Sequence, residues 1–264
     1  MSGVTREFLS ELWRYRELLY FFAWRDVKIR YKQAILGAGW AILQPLFTMI
    51  VFTLFFGHLA GISTGGTPYP LFSFCGLLAW MYFSATISQG GNSLISNANL
   101  ITKVYFPRLL LPAATAVGGL LDFAVGLVFL ILMMIYYGTH ITWLVLIAPV
   151  FLLLMVILAM GASMLLGAMN VRFRDVKYTI PFLLQLWLFL TPIIYPVNFV
   201  PPRYQGLLAL NPMTGIVEGL RASLLSSGSI DWGIIVRSCV VTLAIFAIGL
   251  VYFRRTERVF ADIV

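Results

Sequence analysis

The chain has 264 residues, 61% of them hydrophobic and only 11% charged, and carries a formal net charge of +8. Soluble domains hold about a quarter charged residues, so this composition excludes one and specifies an integral membrane protein. The positive charge invites a nucleic-acid partner, but Lys and Arg punctuate apolar runs instead of forming one basic face, and no nucleic acid is expected.

The apolar runs are continuous, which excludes a β-barrel, whose strands alternate in runs of about ten. Cys75 and Cys239 both fall inside such runs and suggest neither a disulfide framework nor a metal site. The first 32 residues are charged and lack an apolar core, so no cleavable signal is expected and the first span directs insertion.

In residues 5–32, Phe8, Leu12, Tyr15, Leu19 and Phe22 alternate with Arg6, Glu7, Glu11, Arg14 and Arg16 at a helical period. The pattern predicts an interfacial helix lying along the membrane, closed by Asp26, Lys28, Arg30 and Lys32. A membrane anchor and a docking surface for a partner explain it equally well. Residues 1–32 are read as a cytoplasmic interface segment.

Span one is expected over about Leu36 to Leu59, bent at Pro45, with Gln44 requiring a polar partner. After the neutral loop GISTGGTPYP, span two runs from about Leu71 to Ile87 and ends in SQGGNS. Residues 33–102 contain no Asp, Glu, Lys or Arg, and residues 109–171 contain only Asp122. Between them lies NSLISNANLITKVYFPR, residues 92–108, a polar helix-like connector in which Pro107 starts the next helix. A plain loop is the other reading.

Span three follows Arg108 and reaches about Tyr137. Its Asp122 lies about four turns beyond Arg108 and is not expected to pair with it. A polar contact between helices is favoured over a part in transport chemistry. Span four covers about Trp143 to Met169, with Gly161, Ser163 and Gly167 permitting close helix contact. NVRFRDVK, residues 170–177, is a basic turn, and span five runs from about Tyr178 to Tyr195 with Pro181 and Pro192 inside. Residues 196–232 are semi-polar and suit two short helices that dip in and return, or two surface helices. A last span over about Gly233 to Phe253 precedes a basic tail, residues 254–264.

The prediction is an all-α membrane protein with six spans in residues 33–253 and both termini in the cytoplasm. Of the 18 Lys and Arg residues, only Arg203, Arg221 and Arg237 then lie on the outer side.

The chain lacks G-x-x-x-x-G-K-[ST], so it has no phosphate-binding loop of its own. His58 and His140 stand at outer ends of spans without a neighbouring Cys, Asp or Glu, which argues against a metal site or a triad. A membrane enzyme would want paired acidic groups, and an ion-coupled carrier several buried ionisable groups. The abundant aromatics (21 Phe, 12 Tyr and 7 Trp) serve packing and interfacial belts, and some suit a wide path. Aromatic faces stack on sugar rings, which makes Tyr69, Trp80, Tyr82, Trp187, Phe189 and Tyr195 candidates.

Taken together, RDVKIRYKQAILGAGWAILQP (25–45), SNANLITKVYFPRLLLP (96–112), NVRFRDV (170–176), TPIIYP (191–196) and LNPMTGIVEGLR (210–221) resemble the membrane subunit of polysaccharide-exporting ABC-2 type transporters. The resemblance implies a permease of the inner membrane, not itself an enzyme, working as a homodimer with two copies of a separate ATPase that binds ATP and Mg2+. This chain then needs no cofactor. It implies a coupling segment at Asn97, Lys103, Tyr105 and Arg108, with the N-terminal helix as a second ATPase contact. It implies an aromatic-lined path without locating each ring, and Tyr82, Trp187 and Tyr195 are assigned to it from their places in spans two and five; it also implies an outer re-entrant segment, with Asn211, Pro212 and Glu218. The implied substrate is a polysaccharide on undecaprenyl diphosphate, whose anionic head would meet Arg25, Lys28, Arg30 and Lys32; anchoring by positive charge at the cytoplasmic face explains these four residues equally well. O-antigen is the first expectation. Capsular polysaccharide, teichoic acid, or a drug or lipid cargo are the alternatives.

Overall fold

The computed structural model describes residues 10–11, 13–32, 39–173, 175–225, 231–257 and 260. The expectations for Arg6, Glu7, Phe8, Leu12, Leu36, Arg174, Arg258 and residues 226–230 fall outside them.

Regular structure among the described residues is helical throughout. Helix α1 spans Arg16–Tyr31 and α2 Trp40–Phe52, continued by a wide π-helical turn, Thr53–Leu59. Helix α3 spans Tyr69–Ser96, α4 is the short Ala98–Lys103, and α5 spans Leu110–Tyr136. A 3-10 turn, Trp143–Ile147, leads into α6, Ala148–Arg172, and α7 follows as Val176–Leu190. The chain ends with α8, Pro202–Leu208, α9, Pro212–Leu225, and α10, Trp232–Glu257.

Five of these segments are long and apolar enough to cross a membrane: Trp40–Leu59, Tyr69–Ser96, Leu110–Tyr136, Trp143–Arg172 and Trp232–Glu257. The chain is a multi-pass membrane protein. Helix α7 is apolar but has 15 residues, about 22 Å of helix against about 30 Å of hydrocarbon. It was expected to reach Tyr195. It stops at Leu190 because Thr191 precedes Pro192, and a residue before proline is pushed to extended backbone, here φ −102° and ψ 137°.

Other boundaries also move. Helix α3 runs on through SQGGNS, where Asn92 donates to the Ser88 carbonyl and Ser93 to the Gly90 carbonyl, so these polar side chains are satisfied within the helix itself. Helix α5 starts at Leu110, with Pro107 in the preceding turn supplying the carbonyl for the Leu110 N–H. The last helix continues to Glu257.

Helix α3 is the axis of the fold, with 78% of its apolar stretch buried. It packs against α2, α5, α6, α7 and α9. Small residues set the spacings. Gly90 faces Ser163 and Thr115, and Gly161 of α6 lies against the backbone of Phe246 on α10, where Gly249 in turn faces Gly161. A second cluster forms at the end of the bundle that carries α4. It joins Phe22 of α1, Ile101 of α4, Phe106, Leu109, Val171, Phe253 and Phe260.

Candidate functional site

Three regions hold the residues singled out by the sequence. The first is the connector. Ile101 and Phe106 are buried and anchor it, Phe106 meeting the Phe22 ring edge-on at 5.4 Å. The intervening side chains face outward: Lys103 and Val104 are exposed, and Tyr105 is 97% exposed. Asn97 closes α3, its Nδ2 donating to the Ser93 carbonyl at 2.8 Å. Arg108 is tied to the end of α10, its backbone N–H donating to Glu257 Oε1 at 3.1 Å and its guanidinium to the Glu257 carbonyl. The connector is therefore a short helix pinned from within, presenting a polar and aromatic edge.

Helix α1 adjoins it. Tyr20 and Trp24 stack at 6.5 Å, and the Lys28 ammonium lies 5.7 Å from the Trp24 ring centre. Arg25 pairs with Asp26 at 2.8 Å, and Arg254 of α10 pairs with Glu11. Of the four basic residues assigned to a lipid head, Lys28 and Lys32 are exposed, and Arg25 is partly exposed. Arg30 is turned inward onto Asp122 and Gln89. Burial pulls the Arg30 guanidinium below its ordinary pKa, opposed by the charge of Asp26.

The second region is a cavity of about 590 Å³ between α1, α2, α3, α5 and α7. Trp40, Gln44 and Pro45 line it from α2, Tyr82, Thr86 and Gln89 from α3, and Asp122 and Phe123 from α5. Its wall mixes rings, amides and hydroxyls, with the one charge pair self-compensated. Such a surface suits an uncharged, hydroxyl-bearing ligand. Tyr82 is itself buried, its hydroxyl donating to the Ala116 carbonyl at 3.0 Å and its ring edge-on to Phe123. The other two path candidates lie elsewhere. Trp187 packs edge-on against Phe83 at 5.1 Å, and Tyr195 donates to the Phe189 carbonyl at 3.1 Å beside Phe199.

The third region is the opposite end of the bundle, where α7 breaks. Asn211 links both sides of the break. Its Oδ1 accepts from Trp187 Nε1 at 2.8 Å and from the Met213 N–H at 3.1 Å, capping α9. Its Nδ2 donates to the last α7 carbonyl, Leu190, at 3.1 Å. Pro212 then opens α9, as a helix tolerates at its first position. Helix α8 has no buried residue, whereas α9 is buried along most of its length against α3, α6 and α10.

Glu218 pairs with Arg221 at 3.0 Å, and Arg221 is 1% exposed with its guanidinium plane 3.6 Å over the Phe72 ring. Sequence reasoning had assigned Arg221 only to one side of the membrane. The available signal was an i,i+3 Glu–Arg pair in an otherwise apolar helix, close after the broken TPIIYP run.

A model of the ABC-2 type transporter family matches residues 17–225, from α1 to the end of α9. The O-antigen export system permease protein RfbA of Myxococcus xanthus is 33% identical over 216 residues, covering 81% of this chain and 82% of that protein. The protein of the same description from Klebsiella pneumoniae is 26% identical over 94% of this chain and 95% of its own. The polysialic acid transport protein KpsM of Escherichia coli is 25% identical over 89% of this chain and 91% of its own.

Proposed function

The chain belongs to the ABC-2 type transporter family, and from that premise we propose that it is the permease subunit of an ATP-driven exporter that moves a lipid-linked polysaccharide, O-antigen, outward across the inner membrane. Multi-pass architecture and permease rather than catalytic function come with the family. The observation that carries the substrate is the 33% identity to an O-antigen export permease across four-fifths of the chain. The likeness to a polysialic acid transport protein keeps a capsular polymer as the second reading.

Two copies of this chain assemble with two copies of a separate ATPase, which binds ATP and Mg2+. Six crossings result when α7 is completed by residues 191–196, with α8 and α9 as a returning pair on the outer side. Residues 1–32 form the cytoplasmic interface segment and 254–264 a cytoplasmic tail on the 33–253 membrane domain. ATPase closure presses on the connector at Asn97, Lys103, Tyr105 and Arg108 and on α1. The exposed edge of the connector, held by buried Ile101 and Phe106, supports this role.

The polymer enters at the cytoplasmic end, where Lys28 and Lys32, with Arg25, meet the diphosphate of the undecaprenyl carrier. It then passes the aromatic residues Tyr82, Trp187 and Tyr195. Rings give weak, repeated contacts to sugar faces that do not depend on sugar orientation, which suits a moving chain. Asn211, Pro212 and Glu218 shape the outer mouth.

The test is reconstitution. The permease and its ATPase, co-expressed in a strain lacking its own exporter permease but making undecaprenyl-linked O-antigen, should restore surface O-antigen. Restoration by a capsular substrate alone would select the second reading, and an assembled, ATP-hydrolysing complex that moves neither polymer rejects both.

A further inference from the structure

Asp122 is the one acidic residue in residues 33–171. Both of its oxygens are engaged by consecutive residues at the end of α1: Oδ2 accepts from the Arg30 guanidinium and Oδ1 from the Tyr31 hydroxyl. The other terminal nitrogen of Arg30 donates to Gln89 Oε1 on α3 at 2.6 Å. One polar node thus binds α1 to α5 and α3. Elsewhere along the contact α1 lies on α5 through close apolar packing, with Ala23 and Val27 facing Gly118, and Phe22 meets Phe106 of the connector just before α5.

The node is also part of the cavity wall. Arg30, Tyr31, Gln89 and Asp122 line the 590 Å³ chamber together with Trp40, Gln44 and Pro45 of α2. The side chains of Arg30 and Asp122 are only about a quarter exposed, at 26% and 25%. A carboxylate in an apolar helix is left uncompensated when its partner withdraws, so α1 cannot slide along α5 without stranding Asp122. Helix α1 and the chamber wall therefore move as one body while the node holds. With its charge matched by Asp122, Arg30 is not a free anion site in the chamber.

We propose that Asp122 is a positioning residue that turns α1 into a rigid lever on the chamber wall. Force applied to α1 passes through Arg30 and Tyr31 into α5 and α3 and changes the width of the chamber. This rests on the reading of an ATP-driven exporter in which the ATPase pushes on α1, and it adds the element that carries the push inward.

The test uses the complete transporter in proteoliposomes and reads glycan exported per ATP hydrolysed, beside ATPase turnover and copurification of the two subunits. Asp122→Asn keeps the side chain's size and removes its charge. The expected result is an assembled complex with near-normal ATPase turnover and about a tenfold fall in glycan per ATP. Tyr31→Phe, which removes one arm, should give a smaller fall. The exchange of charges, Arg30→Asp with Asp122→Arg, should recover a large part of the ratio. Arg30→Lys and Tyr31→Phe carry the test if Asp122→Asn does not assemble. A normal ratio in Asp122→Asn overturns the lever, and so does a parallel loss of ATPase turnover and export in every assembled variant. A wild-type complex that hydrolyses ATP and moves no glycan fails the exporter reading itself. Normal wild-type export beside an equally coupled Asp122→Asn fails the lever alone.

Discussion

Arg221 donates from Nη1 to the Pro192 carbonyl at 2.5 Å and from Nη2 to the Ile193 carbonyl at 2.7 Å. Its Nε reaches the Phe72 carbonyl near the start of α3 at 3.1 Å. The Pro192 and Ile193 carbonyls belong to the break after α7, where no helical N–H serves them. In apolar surroundings such groups must be satisfied by protein. A flat guanidinium with several fixed donors meets this need from one position. Arg221→Met should therefore cost at least about 3 kcal/mol, through stranded carbonyls and an unpaired Glu218. Arg221→Lys should recover only part of this, because an ammonium cannot reproduce the fork. Thermal unfolding in detergent and permease abundance in membranes are the measurements, and wild-type stability in Arg221→Met would refute the clamp.

The α6–α10 contact gives a second expectation. A Cβ on Gly161 would come 2.5 Å from the Phe246 Cα, where only backbone can give way. Gly161→Ala should cost about 1–3 kcal/mol by overpacking. Gly206, in a helix with nothing near its missing Cβ, is the control. Gly206→Ala should be neutral or stabilising by up to about 1 kcal/mol.

The connector should lose its partner without losing its fold. Replacing Lys103 and Tyr105 with Ala touches exposed side chains only, so permease abundance should hold while ATPase copurification falls. Phe106→Ala is the contrast: it removes a buried ring and should cost about 3–5 kcal/mol of stability. Undiminished copurification and export in the double Ala variant would place the coupling contact elsewhere.

The aromatic path is tested by Leu at Tyr82, Trp187 and Tyr195, singly and together, with surface polysaccharide measured beside permease abundance. Export should fall in an assembled complex. Tyr82 and Trp187 also make hydrogen bonds, to Ala116 and Asn211, so Tyr82→Phe and Trp187→Phe are needed as controls that keep a ring. Full export from an abundant triple Leu variant rejects the assignment of the path.

Topology can be checked by cysteine labelling after replacing Cys75 and Cys239. Ser63 and Gly206 are exposed and should react from outside intact cells. Ser63 is preferred to Gly65, whose φ of 66° disfavours any side chain. Asn97 should react only after the membrane is opened, and external labelling there overturns the orientation.

Apolar length alone disclosed most of the helices, and Gly161 announced its close contact because small residues in an apolar helix have few other uses. What stayed hidden depended on partners distant in sequence. Asp122 looked buried and solitary because Arg30 and Tyr31 lie some ninety residues earlier. Arg221 looked like an outer-side charge because its acceptors are backbone carbonyls, which every residue has and no pattern marks. The end of α7 was misplaced because composition stays apolar through TPIIYP while the backbone does not stay helical. Tyr82 was legible as an aromatic candidate. That it lines a cavity separate from the surroundings of Trp187 and Tyr195 was not, since periodicity says which face a ring takes and nothing of the neighbour opposite.

The burial of α3 bears on how the protein is made. The first long apolar segment to leave the ribosome, Trp40–Leu59, has only 11% of its apolar stretch buried and is at ease in lipid by itself. The next, α3, is enclosed and carries Ser73, Thr86 and Ser93 inward. Its neighbours α5, α6 and α9 are all synthesised afterwards. During biogenesis α3 must therefore wait, beside the insertion machinery or clothed by lipid, until synthesis has passed Leu225, well into the last quarter of the chain. Truncations after α5 should leave it the segment most exposed to membrane quality control.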